Sequence, residues 1–224
     1  MQVTPHRLSI IGSARPPSVT QPKRIWDACV SHVLSQIERI PGPVIINSGG
    51  AAWSDQLAIV AWNHYNKSIV ITPNIGMIAP FIIKPDISTS KIRNFTLALP
   101  TPFIETKTSS MYFDNGKSDW KTNPGKLANS CHRSFSSAVY DDPDRSMRDI
   151  TVAIAAGATV KVYSGFHERN IAIAHNCDTL LVYGSTKEPP LTGGTAHTMK
   201  QAHNRCRIDY ISYDDVIVPS HAII

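Results

Sequence analysis

Short apolar runs that end in turns of small residues, each followed by helical periodicity, recur along this chain and restrict it to one class of fold. Leu8-Ser9-Ile10-Ile11 runs into Gly12-Ser13. From about Lys23 to Ile40 the residues Ile25, Trp26, Cys29, Val30, Val33, Leu34 and Ile37 keep the spacing of one helical face, and Pro41-Gly42-Pro43 stops them. Val44-Ile45-Ile46 leads into Asn47-Ser48-Gly49-Gly50, a helix is expected from Asp55 to Tyr65, and Ser68 to Thr72 reads as a third strand. The alternation returns with a helix from Asp144 to Ala156, capped by Asp142 or Asp144, and a strand from Thr159 to Tyr163. A helix from His167 to Asn176, a strand from Thr179 to Tyr183, a helix from Gly193 to Asn204 and a strand from Arg207 to Tyr213 complete it. Apolar strands joined by helices are buried on both faces, which calls for a parallel sheet. The expectation is a single α/β domain over residues 1–224, Rossmann-like and doubly wound, with a mostly parallel sheet and helices on both faces.

The stretch from Pro73 to Asp142 breaks the rhythm. It carries Pro80, Pro85, Pro100, Pro102 and Pro124, many Ser and Thr, and little periodicity. An unstructured connection of that length is uncommon in a compact domain, so an insertion with some structure of its own is expected at about 74–142. Phe81 to Ile83 and Phe95 to Leu99 are its candidate strands. A functional lid, an oligomerisation arm and a plain excursion fit these residues equally.

Charge narrows the partners. Lys+Arg 22 against Asp+Glu 17 gives +5, spread without a basic block. A small phosphorylated ligand accounts for that surplus as well as a nucleic acid does, and a nucleic-acid partner is disfavoured by the scatter. No apolar run approaches the ~20 residues that span a bilayer, and Met1 to Leu8 lacks the layout of a signal peptide, so a cytoplasmic protein without a membrane partner is expected. Cys29, Cys131, Cys177 and Cys206 form no C-x-x-C pair, and His197 and His203 fall on different faces of a helix. Neither a metal site nor a cofactor is expected.

In open α/β sheets ligands sit beyond the carboxyl ends of the strands. Four turns converge there: Gly12-Ser13-Ala14-Arg15, Ser48-Gly49-Gly50 with Asp55 close behind, Phe166-His167-Glu168-Arg169-Asn170, and Gly193-Gly194-Thr195. Glycines at a strand-to-helix turn bring backbone N–H groups to an anion, and the helix dipole favours it. Gly193, Gly194 and Thr195 are the best phosphate cradle, the Thr195 hydroxyl being an extra donor, and Arg15 and Arg169 are candidate clamps. Neither G-x-G-x-x-G nor the Walker A pattern is present. Glu168 and Asp55 are the acids placed in the turns, with solvent exposure and turn support as their alternative roles. Asp178 and Asp149 read as structural. His167 is either a local cap or an acid, and Trp53 either a core residue or a stacking surface for a base.

Taken together, the strand-GSAR, strand-SGGA, FHERN-x-x-IA-x-x-CD-strand and GGT-x-x-T segments resemble the superfamily that contains the DNA-processing protein DprA and the LOG phosphoribohydrolases. The resemblance covers about Leu8 to Thr72 and Thr159 to Asn204. It implies a Rossmann-like domain that binds a nucleotide or nucleotide-derived small molecule, commonly as a homo-oligomer. In LOG enzymes an Arg of M-H-x-R-K and a Glu of P-G-G-x-G-T-x-x-E support cleavage of the base–ribose bond. Here Arg169 matches the arginine, while Thr198 stands where the glutamate would be. The implied activity is hydrolysis of the N-glycosidic bond of a nucleoside monophosphate, with Arg169, Glu168 and Asp55 as catalytic candidates. Gly12, Ser13, Arg15, Ser48, Gly49, Gly50, Asn170, Gly193, Gly194, Thr195 and Thr198 are the implied ligand contacts. A non-catalytic nucleotide sensor, a DprA-like single-stranded DNA binder and a structural subunit are the other readings.

Overall fold

The computed structural model describes residues 3–13, 21–66, 69–71, 81–83, 88–106 and 109–217. The elements follow one another as β1 (His6–Gly12), α1 (Pro22–Arg39), β2 (Val44–Ser48), a 3-10 turn (Trp53–Asp55), α2 (Gln56–Tyr65), β3 (Ile69–Ile71), β4 (Phe81–Ile83) and β5 (Ile92–Leu99). Then come β6 (Phe103–Glu105), β7 (Ser110–Tyr112), α3 (Pro124–Tyr140), α4 (Arg145–Ala155), β8 (Thr159–Val162), α5 (Phe166–His175), β9 (Thr179–Gly184), α6 (Gly193–Ala202), β10 (Arg207–Ser212) and α7 (Tyr213–Ile217). Six strands form a parallel sheet in the order β10-β9-β1-β2-β5-β8. This is the expected α/β, doubly wound architecture. The chain winds outward from β1 through β2, β5 and β8, then crosses back to lay β9 on the other side of β1. The order therefore reverses between β1 and β9, where a crevice opens at the carboxyl ends.

One face of the sheet, carrying Leu8, Ile10, Ile46, Phe95, Leu97 and Tyr183, packs under α1, α2, α3 and α4 as the main core. Each fully buried Leu or Ile contributes roughly 1.5–3 kcal/mol, so this face dominates the stability. The other face carries a smaller cluster of Ile11, Ala98, Leu180 and Val182 against Ile173 and Ala174 of α5 and Ala202 of α6. The helices that cover this second face are the two that present turns to the crevice.

Three expectations change. Ile69–Ile71 is not the third strand of the main sheet: it pairs antiparallel with Phe81–Ile83 as a separate ribbon, while Ser68 and Thr72 lie outside the described residues. The place beside β2 is taken by β5. The 74–142 stretch is accordingly no simple excursion. Ile92, Phe95, Leu97 and Leu99 are fully buried on β5, which lies inside the sheet between β2 and β8. Phe135 of α3 packs edge-on against Trp26 at 4.8 Å and Trp53 at 5.1 Å. At α4 neither acid caps by side chain onto the first turn; Asp142 instead accepts from the Asp144 backbone N–H at 3.2 Å and pairs with Arg148. Among the described residues no helix is long and apolar enough to cross a membrane.

Candidate functional site

A cleft of about 630 Å³ lies at the point where the strand order reverses. Ile11 and Gly12 at the end of β1 meet Ala51 and Asp55 after β2, the first turn of α5 and the first turns of α6. Gly12 has no room for a side chain: a β-carbon would stand 1.9 Å from the Tyr183 carbonyl oxygen. That close approach joins the ends of β1 and β9. Ser13 extends the junction, donating its N–H to the Tyr183 carbonyl at 3.1 Å.

Asp55 and Arg169 form the buried charged floor. Arg169 donates from Nη1 to the Gly49 carbonyl at 3.1 Å, and from Nε and Nη2 to Asn170 Oδ1 at 3.1 and 2.8 Å. Asp55 accepts from the Ala51 N–H at 3.2 Å. A β-carbon on Gly49 would sit 2.6 Å from Asp55 Oδ2 and 2.8 Å from Arg169 Cζ, so glycine is what lets the two charges face one another. Burial pushes the Asp55 carboxyl up to about 6, against the pull of Arg169 and of the Ala51, Gly12 and Gly49 N–H groups. A carboxyl that changes charge near neutral pH is suited to proton transfer. Burial lowers the Arg169 pKa and Asp55 opposes it, but a guanidinium stays charged in proteins.

The polar wall is the start of α6. Its N-cap residue, Thr192, makes no side-chain capping bond, and its first turn holds no acid. The leading N–H groups thus keep their affinity for an anion. Asn170 Nδ2 and Thr198 Oγ1 both donate to the Gly194 carbonyl, at 3.3 and 3.0 Å, fixing this turn on α5. Thr195 gives its hydroxyl proton to the Gly12 carbonyl at 2.9 Å, so it ties α6 to β1 and is not the extra phosphate donor expected of it. Buried Thr198 lines the cleft without supplying an acid.

Other candidates fall outside the cleft lining. Glu168 is exposed and accepts the Ser164 N–H at 3.0 Å, the reach-back of a residue closing the start of its own helix. Ser48 is buried and donates to the Asp55 carbonyl at 3.1 Å. Gly50, with φ +63°, turns its carbonyl inward to accept from Tyr112 Oη at 2.5 Å. Arg15 lies outside the described residues. Trp53 is core, 1 % exposed against Trp26 and Phe135, which rules out stacking on a ligand base. Exposed His167 does line the cleft, its ring edge-on to His197 at 4.8 Å.

Three contributors come from the stretch read as an insertion and were missed. Trp120 and Leu127 line the cleft beside Phe166. Below the floor, buried His132 lies 2.9 Å from the Gly50 carbonyl through Nε2 and 3.0 Å from Ser146 Oγ through Nδ1. Burial pushes His132 down to about 4, keeping it neutral. Among the described residues no cluster of three or more metal-ligating side chains occurs. Neither a scan of protein-family models nor a search of curated proteins finds a match for this chain.

Proposed function

We propose that this chain binds a nucleotide or nucleotide-derived small molecule in the crevice between β1 and β9. The observation that carries the reading is the meeting of an uncapped α6 N-terminus with the buried Asp55 and Arg169 in one cleft. Its volume falls in the range of roughly 300–1,000 Å³ usual for small-molecule sites. A phosphate would take the Gly193 and Gly194 turn, and the ribose would lie toward Asp55. The same arrangement fits hydrolysis of the N-glycosidic bond of a nucleoside monophosphate. Ionised Asp55 would take a proton from the attacking water and face the positive charge that develops on the sugar, while the base leaves with its bonding electrons. Arg169 holds the Gly49 turn and keeps Asp55 in place, a positioning role.

Calorimetry with nucleoside monophosphates, cyclic dinucleotides and ADP-ribose derivatives tests the binding; stoichiometric uptake of one of them supports it, and uptake of none overturns it. Free base released from a monophosphate should increase as pH rises through about 6, where Asp55 ionises, and vanish in Asp55→Asn. Binding without base release leaves a sensor.

A further inference from the structure

We infer that Trp120 is the stacking surface for the ligand's base, and that the loop before α3 selects base-bearing phosphates over base-free sugar phosphates. The inference rests on the nucleotide reading and adds the recognition element it lacks. Trp120 is 43 % exposed, while Trp26, Trp53 and Trp62 are at most 3 % exposed. An indole left half in water forgoes much of the burial that makes tryptophan valuable to a fold. The loop that carries it is hydrogen-bonded on both sides of the ring. Asn123, 1 % exposed, donates from Nδ2 to Asp114 Oδ1 at 2.6 Å and to the Lys117 carbonyl at 2.7 Å, and its Oδ1 accepts the Asn115 N–H at 3.3 Å. Lys121 N–H is bonded to Asp119 Oδ1 at 3.1 Å. The fold thus orders the loop that presents an aromatic ring it does not bury.

The ring lies where a flat ligand would meet it. Trp120 and Phe166 stand 6.1 Å apart at 46°, and with Leu127 they make an apolar wall of the cleft whose polar wall is the start of α6. Phe166 already carries the Arg169 guanidinium at 5.2 Å, and Lys121 Nζ lies 5.8 Å from the Trp120 ring. A ligand that satisfies both walls has an anionic end and a planar apolar end. A sugar phosphate has the first alone.

The test compares adenosine 5′-monophosphate with ribose 5-phosphate on the wild type, Trp120→Ala and Trp120→Phe. Base–aromatic stacking of the usual strength predicts that Trp120→Ala weakens the nucleotide about 5- to 100-fold, leaves ribose 5-phosphate within about twofold, and that Trp120→Phe recovers most of the loss. Acrylamide quenching gives a second readout, since Trp120 is the exposed member of the four tryptophans, all of them described. The nucleotide should shield it, and ribose 5-phosphate should not. Equal affinity of wild type and Trp120→Ala for the nucleotide overturns the stacking role and leaves the nucleotide reading standing. If the wild type takes up ribose 5-phosphate as tightly as the nucleotide, base selection is overturned. No uptake of either compound, with no nucleotide taken up in the wider panel, overturns both readings.

Discussion

Several polar side chains in this protein are buried with their hydrogen-bonding groups engaged by protein partners, and His132 is the clearest of them. It touches the Gly50 carbonyl and Ser146, which also accepts from Ser136 Oγ at 2.6 Å. Its burial penalises the charged ring, which the Gly50 carbonyl only partly offsets. The unfolded chain binds the second ring proton near the ordinary value of about 6.5, whereas the folded chain resists it until about 4. The stabilisation is therefore complete above pH 6.5 and is lost as pH falls toward 4, at a cost of about 3 kcal/mol. Asp55 has the opposite sign, since its raised pKa makes the folded state bind its proton first as pH falls from about 6. Urea titrations of wild type and His132→Gln at pH 7.5 and 4 separate the two: the wild type should lose about 3 kcal/mol more than the variant across that interval. Equal losses would show that His132 does not carry the acid sensitivity.

At the scale of elements, what could be read from the sequence followed how each element satisfies its polar groups. Strands β1, β2 and β9 are continuous apolar runs, and α1 has a clean stripe, so both kinds announce themselves. Helix α3 does not: its buried face mixes Ala128, Phe135 and Val139 with Gly125, His132 and Ser136, which count as polar until their partners are known. Strand β5 was read as a short strand of an insertion because prolines and serines surround it, although FTLAL already has the composition of a buried strand. The loop before α3 was opaque for the same reason, its order resting on side-chain bonds from Asn123. Removing them in Asn123→Ala should lower stability by about 1–3 kcal/mol in urea, because buried Asn123 gives up its bonds to the Lys126 and Asn115 N–H groups, the Lys117 carbonyl and the Asp114 carboxylate. An unchanged midpoint would mean that the loop is ordered by something else.

For the whole molecule, the site residues legible from the sequence were those on strand-to-helix turns, where fold class alone dictates position: Gly12, Gly49, Asp55, Arg169 and Gly194. Trp120, Leu127 and His132 were not, because tertiary packing of α3 and its loop brings them there. The sheet order also ranks local stability. Amides in the middle of β1, β2 and β9 should exchange with deuterium only on global opening, whereas those of edge strand β8 and the β6–β7 hairpin should exchange sooner. Uniform protection across all of them would contradict that ranking.

The return of the chain from β8 to β9 has a consequence for biosynthesis. Strand β1 is made well before β9, so one of its edges waits for β9, and Arg7 waits for Asp178, its partner 171 positions later. At about 5–20 residues per second, a ribosome leaves that apolar edge open for roughly 10–30 seconds. The crevice between β1 and β9 has one wall until then, and the cleft comes into being only when α5, β9 and α6 fold back onto β1.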